Sequence, residues 1–167
     1  VAPSFGIVHS EYLANEESGE IRAIDSALRG GGMYISSHLV PLATGIDIND
    51  LLLDKALGIE ADTASVFAHR KDRSAGYLSF YLPPGRITAV SGLDRLARLP
   101  FVAHAFLDDI RIGEPVEEMR YKGQRKGPIL LHAGSRRQLE EHILEAKEIL
   151  HVEVTGIDGT ISGIRWE

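Results

Sequence analysis

The chain has 167 residues, 44% of them hydrophobic, and its 24 acidic and 18 basic side chains give a net charge of −6. That is apolar material for one compact domain or two small lobes, while the acidic balance repels nucleic acid rather than gathering it. No cysteine occurs, which removes disulfides and thiolate metal sites, and no apolar run approaches membrane-spanning length, so a cytoplasmic setting is expected, with neither membrane nor nucleic acid as partner.

Residues Phe5 to Ala14 alternate as a strand does, Asn15 to Gly19 (NEESG) is turn chemistry, and Glu20 to Leu28 reads as a returning strand. The pair predicts a hairpin. An odd-length loop closing on Gly19 would set Glu11 near Ala23 and His9 near Asp25. Glu11 and Asp25 would then be diagonal neighbours on one face, roughly 7–8 Å apart at Cα, and could hold a divalent cation. His9 is read as a partly buried structural imidazole, with a hydrogen bond to Asp25 as the alternative.

The second strand runs into Arg29 and three glycines, Gly30, Gly31 and Gly32. Glycines let backbone amides approach an anion and accept backbone angles closed to other residues. Ser36 and Ser37 then offer an N-cap, and a helix starting there turns its positive end toward the loop. This is chemistry suited to phosphate. The same features also describe an ordinary glycine-rich turn beside solvated carboxylates.

Further on, 36–43 predicts a short helix interrupted near Pro41 and ended at Thr44-Gly45. Asp47 caps a second helix, INDLLLDKALG at 48–58, with Ile48, Leu52 and Ala56 on one face and Gly58 as its stop. The pattern breaks over 59–65, and a boundary near Asp62 is expected, giving parts 1–62 and 63–167. Then come strands 76–82 and 86–90 around the turn Pro83-Pro84-Gly85, a helix 94–98, a strand 102–110, a turn at Gly113-Glu114-Pro115 and a strand 129–132. Ser135 to Gln138 is an S-x-x-Q capping box opening a helix with Leu139, Ile143, Ala146 and Leu150 in one stripe. Strands 151–155 and 160–166 close the chain. The mixture with several hairpins is an α+β class.

Between Arg120 and Arg137 lie six basic residues and no acid. They read as a solvated loop, the alternative being a cover for phosphates or a substrate carboxylate. Arg136 and Arg137 in a helix's first turn oppose its dipole unless an anion or an acidic neighbour is at hand. The remaining histidines show no metal spacing. Trp166 is expected to anchor a core or an interface.

The run HSE at 9–11, DSALRGGG at 25–32 and YISSHLVPLATGID at 34–47 resembles the last part of an ATP-grasp carboxylate–amine ligase, of the L-amino-acid-ligase-like or carbamoyl-phosphate-synthase-like kind. PPGRITAVSGL at 83–93 resembles the opening of the C-terminal subdomain of the same ligases. The resemblance implies the C-terminal portion of an ATP-grasp fold, an antiparallel sheet with phosphate-loop helices, followed by a small mixed α+β subdomain. It implies ATP and Mg2+ as cofactors, with Glu11 and Asp25 holding the metal. Arg29 would be catalytic, and Gly30, Gly31, Gly32 and Ser36 would bind the phosphates. The substrates would be a small-molecule carboxylate and an amine, joined through an acyl phosphate.

The family usually has Glu where this chain has Asp25, and many members have Asn where this chain has Ala27. A degenerate module with a binding or oligomerisation role is therefore the alternative. The nucleotide-binding half is not accommodated before Val8, so a missing N-terminal lobe is expected as a partner, with the chain inactive alone. The face left bare by that lobe predicts self-association into a homo-oligomer.

Overall fold

The computed structural model describes residues 6–15, 17–60 and 62–167; Phe5 of the expected first strand, Glu16 of the expected turn and Ala61 lie outside them. The chain divides into two compact units, Val1–Lys71 and Asp72–Glu167. The sequence reading puts the break near Asp62 instead.

In the first unit, strands β1 (His9–Ala14) and β2 (Ile21–Ala27) form a two-stranded antiparallel sheet. A π-helical turn, Ile35–Leu39, leads without a break into α1 (Val40–Thr44). Pro41 stands at the start of α1, just beyond the π-helical turn, so the interruption expected near it takes the form of a change of helix type and not a break. Helix α2 (Ile48–Ala56) begins as predicted at Asp47, whose carboxylate accepts from the amides of Asn49 and Asp50 at 2.9 and 3.2 Å. Helix α3 (Thr63–Ala68) stands where the apolar pattern breaks off. Asp62 holds it by accepting from the Ser65 amide at 3.1 Å, a cap too local to show in the periodicity.

The second unit holds two four-stranded antiparallel sheets. Strands β3 (Ser74–Tyr81), β5 (Val102–Ala105), β7 (Lys126–Ala133) and β10 (Arg165–Trp166) make one, in the order β10-β3-β7-β5. Strands β4 (Gly85–Ser91), β6 (Pro115–Val116), β8 (His151–Thr155) and β9 (Ile161–Gly163) make the other, in the order β6-β4-β8-β9. Helices α4 (Leu93–Ala97) and α5 (Arg136–Ile149) complete the unit. Ile129, Leu130 and Leu131 are buried one after another, as a strand covered on both faces requires, whereas β8 buries only Val152 and Val154. Leu78, Phe80, Ile87, Leu139 and Ala146 join Ile129, Leu131, Val152 and Val154 in one core.

Two expected strands are corrected. The strand over 102–110 ends at Ala105: Phe106 still donates to the Pro128 carbonyl of β7, but the chain then turns, with the Ile110 amide bonded to Leu107, and buries Leu107 and Ile110 outside the sheet. The strand over 160–166 is two strands in different sheets: β9 pairs with β8, and after Ile164 β10 pairs with β3. The capping box is half formed. Ser135 accepts from the Gln138 amide, while the Gln138 side chain accepts from Gly134 and not from the cap residue.

The basic run is largely neutralised. Arg125 meets Glu167 at 2.6 Å, Lys126 meets Asp109 at 2.5 Å, and Arg136 meets Glu140 at 2.8 Å. Arg137 lies 4.0 Å from Glu141, so both arginines in the first turn of α5 have the acidic neighbour their position calls for.

In the turn between β8 and β9 the Thr160 amide and then its hydroxyl donate to Asp158, at 3.0 and 2.8 Å, and hold its carboxyl below the ordinary value. A depressed folded-state pKa stabilises the fold above the unfolded value and loses that contribution as pH falls through the folded one. Carboxyl NMR titration of the whole chain is expected to show Asp158 protonating below the ordinary aspartate value, and Thr160→Ala to move it part of the way back. Titration at the ordinary value would remove these hydrogen bonds from the account.

Candidate phosphate and metal site

Glu11 and Asp25 are directly opposite each other in the hairpin. The expected diagonal register is corrected, for two reasons that add. Asn15 and Glu20 close an even-length loop, the Asn15 amide donating to Glu20 and the Gly19 amide to Asn15, which pairs Ala14 with Ile21 and Tyr12 with Ala23. A bulge between Glu11 and Tyr12 then takes up Ile24, so that Glu11 meets Asp25, Ser10 meets Ser26 and His9 meets Ala27. Facing residues in a ladder have Cβ atoms about 4.5–5.5 Å apart and share a face. The two carboxylates are therefore closer than the expected register would place them.

His9 turns to Glu11, with Nε2 3.5 Å from its carboxylate, and not to Asp25. Its ring is four-fifths covered while Glu11 remains exposed, so the imidazole forms a wall under one carboxylate. Ser10 and Ser26 link the strands on the other face at 2.8 Å.

After β2 the Arg29 amide bonds back to Ala27, and its guanidinium donates to the Gly30 carbonyl at 3.0 Å. The unusual backbone angles expected of the glycines are not used here. None of Gly30, Gly31 or Gly32 is in the left-handed region; Met33 (φ 49°) and Tyr34 (φ 63°) are. What excludes a side chain at Gly31 is proximity, since a Cβ there would lie 2.9 Å from Ile35 and 3.0 Å from His9. At Gly30 it would lie 2.7 Å from the Ser36 hydroxyl. Gly32 faces open space. Gly31→Ala is expected to cost about 1–3 kcal/mol, as overpacking does, and Gly32→Ala to change little; equal effects in thermal unfolding would discount the packing of Ile35 and His9 on this loop.

Ser36 is buried and donates to the Gly31 carbonyl at 3.4 Å, so it braces the loop from beneath. The expected N-cap at Ser36 and Ser37 is corrected: the cap position is Tyr34, with no side-chain cap bond, because the left-handed pair Met33–Tyr34 has already turned the chain. Ser37 bonds His38 instead.

Among the described residues no group of three or more His, Asp or Glu side chains converges on a metal position. Magnesium bound with a nucleotide takes one or two carboxylates and draws its other ligands from phosphates and water. A facing Glu–Asp pair beside an arginine and a glycine loop fits that donor set.

Residues 79–155, which lie within the second unit, match the family described as L-amino acid ligase C-terminal domain 2. The crystal structure of an L-amino acid ligase from Bacillus licheniformis superposes with a TM-score of 0.71 at 24% identity, over 88% of this chain and 37% of that one. The fold is that of the C-terminal part of an ATP-grasp ligase. A phosphoribosylglycinamide synthetase from Anaerococcus prevotii shares this ATP-grasp architecture at a TM-score of 0.64 and 10% identity, over 87% of this chain and 36% of that one. Asp72–Glu167 is 96 of the 167 residues, so coverage of 88% takes in residues of the first unit as well. The chain spans 37% and 36% of the lengths of these two solved ligases. No curated protein sequence matches it.

Proposed function

We propose that this chain is the C-terminal part of an ATP-dependent carboxylate–amine ligase. In the whole enzyme a substrate carboxylate attacks the γ-phosphate of ATP, giving an acyl phosphate and ADP. An amine then attacks the acyl carbon, forming an amide and releasing phosphate. The observation that carries this reading is the facing pair Glu11 and Asp25 at the entrance to the Arg29–Gly32 loop.

Phosphoryl transfer needs positioned positive charge more than covalent help. Magnesium, when bound with the nucleotide, would supply charge between the phosphates. Glu11 and Asp25 hold it from the protein side, and His9 keeps Glu11 on the site's face. The Arg29 guanidinium, on turning from the Gly30 carbonyl, answers the charge that develops on the acyl phosphate and on the tetrahedral species after it. Gly30 and Gly31 bring the main chain close, and Ser36 fixes that approach from below. The substrates are small carboxylates and amines, with an amino-acid carboxylate the class favoured by the family matched at 79–155.

The chain's share of the solved ligases supports a further, N-terminal lobe in the same enzyme, without which this part is inactive. Bare apolar side chains on the hairpin, Leu13 and Ile21 at 64% and 67% exposure among them, support such a covering partner. The test is ADP release by the full reading frame that contains this chain, supplied with amino-acid pairs. Release requiring both a carboxylate and an amine is expected. No nucleotide effect at millimolar ATP would leave the degenerate, non-catalytic reading in its place.

A further inference from the structure

The second unit carries an open groove of about 810 Å³ between the end of β4, helix α4 and the segment that follows Leu107. Its apolar lining is the edge of the core. Val90, Leu93 and Leu99 pack against the buried cluster, Ile110 belongs to it, and Ile112 beside them stays 69% exposed. Its charged lining is three arginines, Arg95, Arg98 and Arg111, and a single acid, Asp94.

The fold makes little use of these arginines. Arg98 lies 3.9 Å from the Asp94 carboxylate, with both side chains largely exposed, an ion pair of the kind that contributes little in water. Its Nε donates to the Asp94 carbonyl at 3.0 Å, which leaves the fork open. Arg95 and Arg111 have no ion pair or side-chain hydrogen bond among the described residues. Arg125, Lys126, Arg136 and Arg137 differ in this, since each meets an acid. The excess of positive charge also runs against the sign of the chain, whose net charge is −6.

The walls that carry the arginines are nevertheless fixed. Leu96, 0% exposed, seats α4 in the core, and Arg95 and Arg98 are three residues apart, the spacing of neighbours on one helix face. The segment of Arg111 is tied to β4 just beyond it: the Gly113 amide donates to the Ile87 carbonyl at 2.8 Å, and the Ile87 amide to the Glu114 carbonyl at 3.0 Å. Only side-chain heads must order when a ligand enters, which keeps the entropic cost of binding low.

Three arginines against one aspartate leave two positive charges in excess. A phosphate monoester carries about −1.5 to −2 at pH 7, and its oxygens suit the paired donors of guanidinium forks. We propose that this groove binds a small phosphate monoester with an apolar body, Arg95, Arg98 and Arg111 holding the phosphate and Leu93, Leu99 and Ile112 the body. Small-molecule sites have volumes of roughly 300–1,000 Å³, a range that includes this one. The groove lies wholly within the second unit, and the assignment does not rest on the ligase reading.

The test uses the full chain with phenyl phosphate as probe, followed by titration calorimetry and by methyl NMR of Ile110 and Ile112. Saturable one-to-one binding that shifts these methyls is expected, with inorganic phosphate, which lacks the body, and benzyl alcohol, which lacks the charge, each at least roughly tenfold weaker. Arg95→Gln with Arg111→Gln is expected to weaken both phosphates at least roughly tenfold, with the unfolding midpoint unmoved because both side chains are exposed. Arg120→Gln with Lys122→Gln removes the same charge elsewhere on the unit and is expected to leave binding as it was. Ile112→Ser divides the site, weakening phenyl phosphate and sparing inorganic phosphate. Equal losses from the two double variants would reduce the effect to net charge and overturn the site. Phenyl phosphate that binds no tighter than inorganic phosphate, that leaves both methyls unshifted or that fails to saturate at millimolar concentration would overturn it too. Tighter binding of phenylsuccinate, which divides the charge between two carboxylates, would overturn a phosphate monoester as the ligand class.

Discussion

Replacing Asp25 with asparagine in the whole enzyme is expected to slow ADP formation on the order of 100-fold, while leaving this chain as stable as before or slightly more so. The two effects have opposite signs for one reason. Glu11 and Asp25 face each other in the ladder, and like charges directly opposite repel. Asparagine keeps the shape and removes the repulsion. On the proposed reading the same substitution removes one of the two protein charges that would hold a metal on the phosphates. Stabilisation of developing phosphoryl charge by a metal amounts to several kcal/mol, and losing about 3 kcal/mol of it is roughly 100-fold in rate. Glu11→Gln should match it. Because the two carboxylates act as one unit, the double substitution should cost little more than either single one. Asp25→Glu adds a methylene on the same face and is expected to tighten Mg–nucleotide binding and lower the magnesium needed for half-maximal rate. An unchanged rate with asparagine and unchanged binding with glutamate would make the pair vestigial.

What was legible in the sequence is what local chemistry decides. Asp47 announces α2 because a cap acts within three residues, and the Leu139–Ala146 stripe announces α5 because a helix face repeats within two turns. The Pro83-Pro84-Gly85 turn is of the same kind. The hairpin was legible as a hairpin, but its register was not, since one extra residue at Ile24 moves every pair beyond it. No pattern of side chains signals that bulge, although the closeness of Glu11 and Asp25 depends on it. The glycine loop was legible as a loop, but what selects its glycines was not. Free backbone angles and close approach both select glycine, and only the positions of Ile35 and Ser36 separate them. Remote pairing was the least accessible. Arg125 and Lys126 read as members of a solvated run because their partners, Glu167 and Asp109, lie far off along the chain. The break at Ile164 is likewise invisible locally, since either half alternates well enough to continue the other.

The largest loss of stability is expected from Gly92→Ala. Gly92 precedes α4 with φ 88°, where an L side chain costs about 1–2 kcal/mol. That is the smaller part. A Cβ on Gly92 would lie 2.0 Å from the carbonyl oxygen of Ile149 and 2.8 Å from its carbon. These are main-chain atoms at the end of α5, and they cannot rotate aside. Relieving the overlap means shifting the last turn of α5, whose Ala146, Ile149 and Leu150 are buried in the core with Val152 just beyond. A cost on the order of 4 kcal/mol or more follows, the range reserved for core disruption and trapped backbone strain. Gly159→Ala provides the control. Its φ is 80°, close to that of Gly92, but nothing lies within 4 Å of the added Cβ, so it should show the conformational cost alone. The chain's one tryptophan, Trp166, packs on Phe80 in the second unit and reports its unfolding in denaturant by fluorescence. If the two alanines cost the same, the approach of Gly92 to Ile149 is not what selects glycine there. If Gly92→Ala alone collapses the transition, the junction of α4 with the end of α5 is where the two sheets' shared core is pinned.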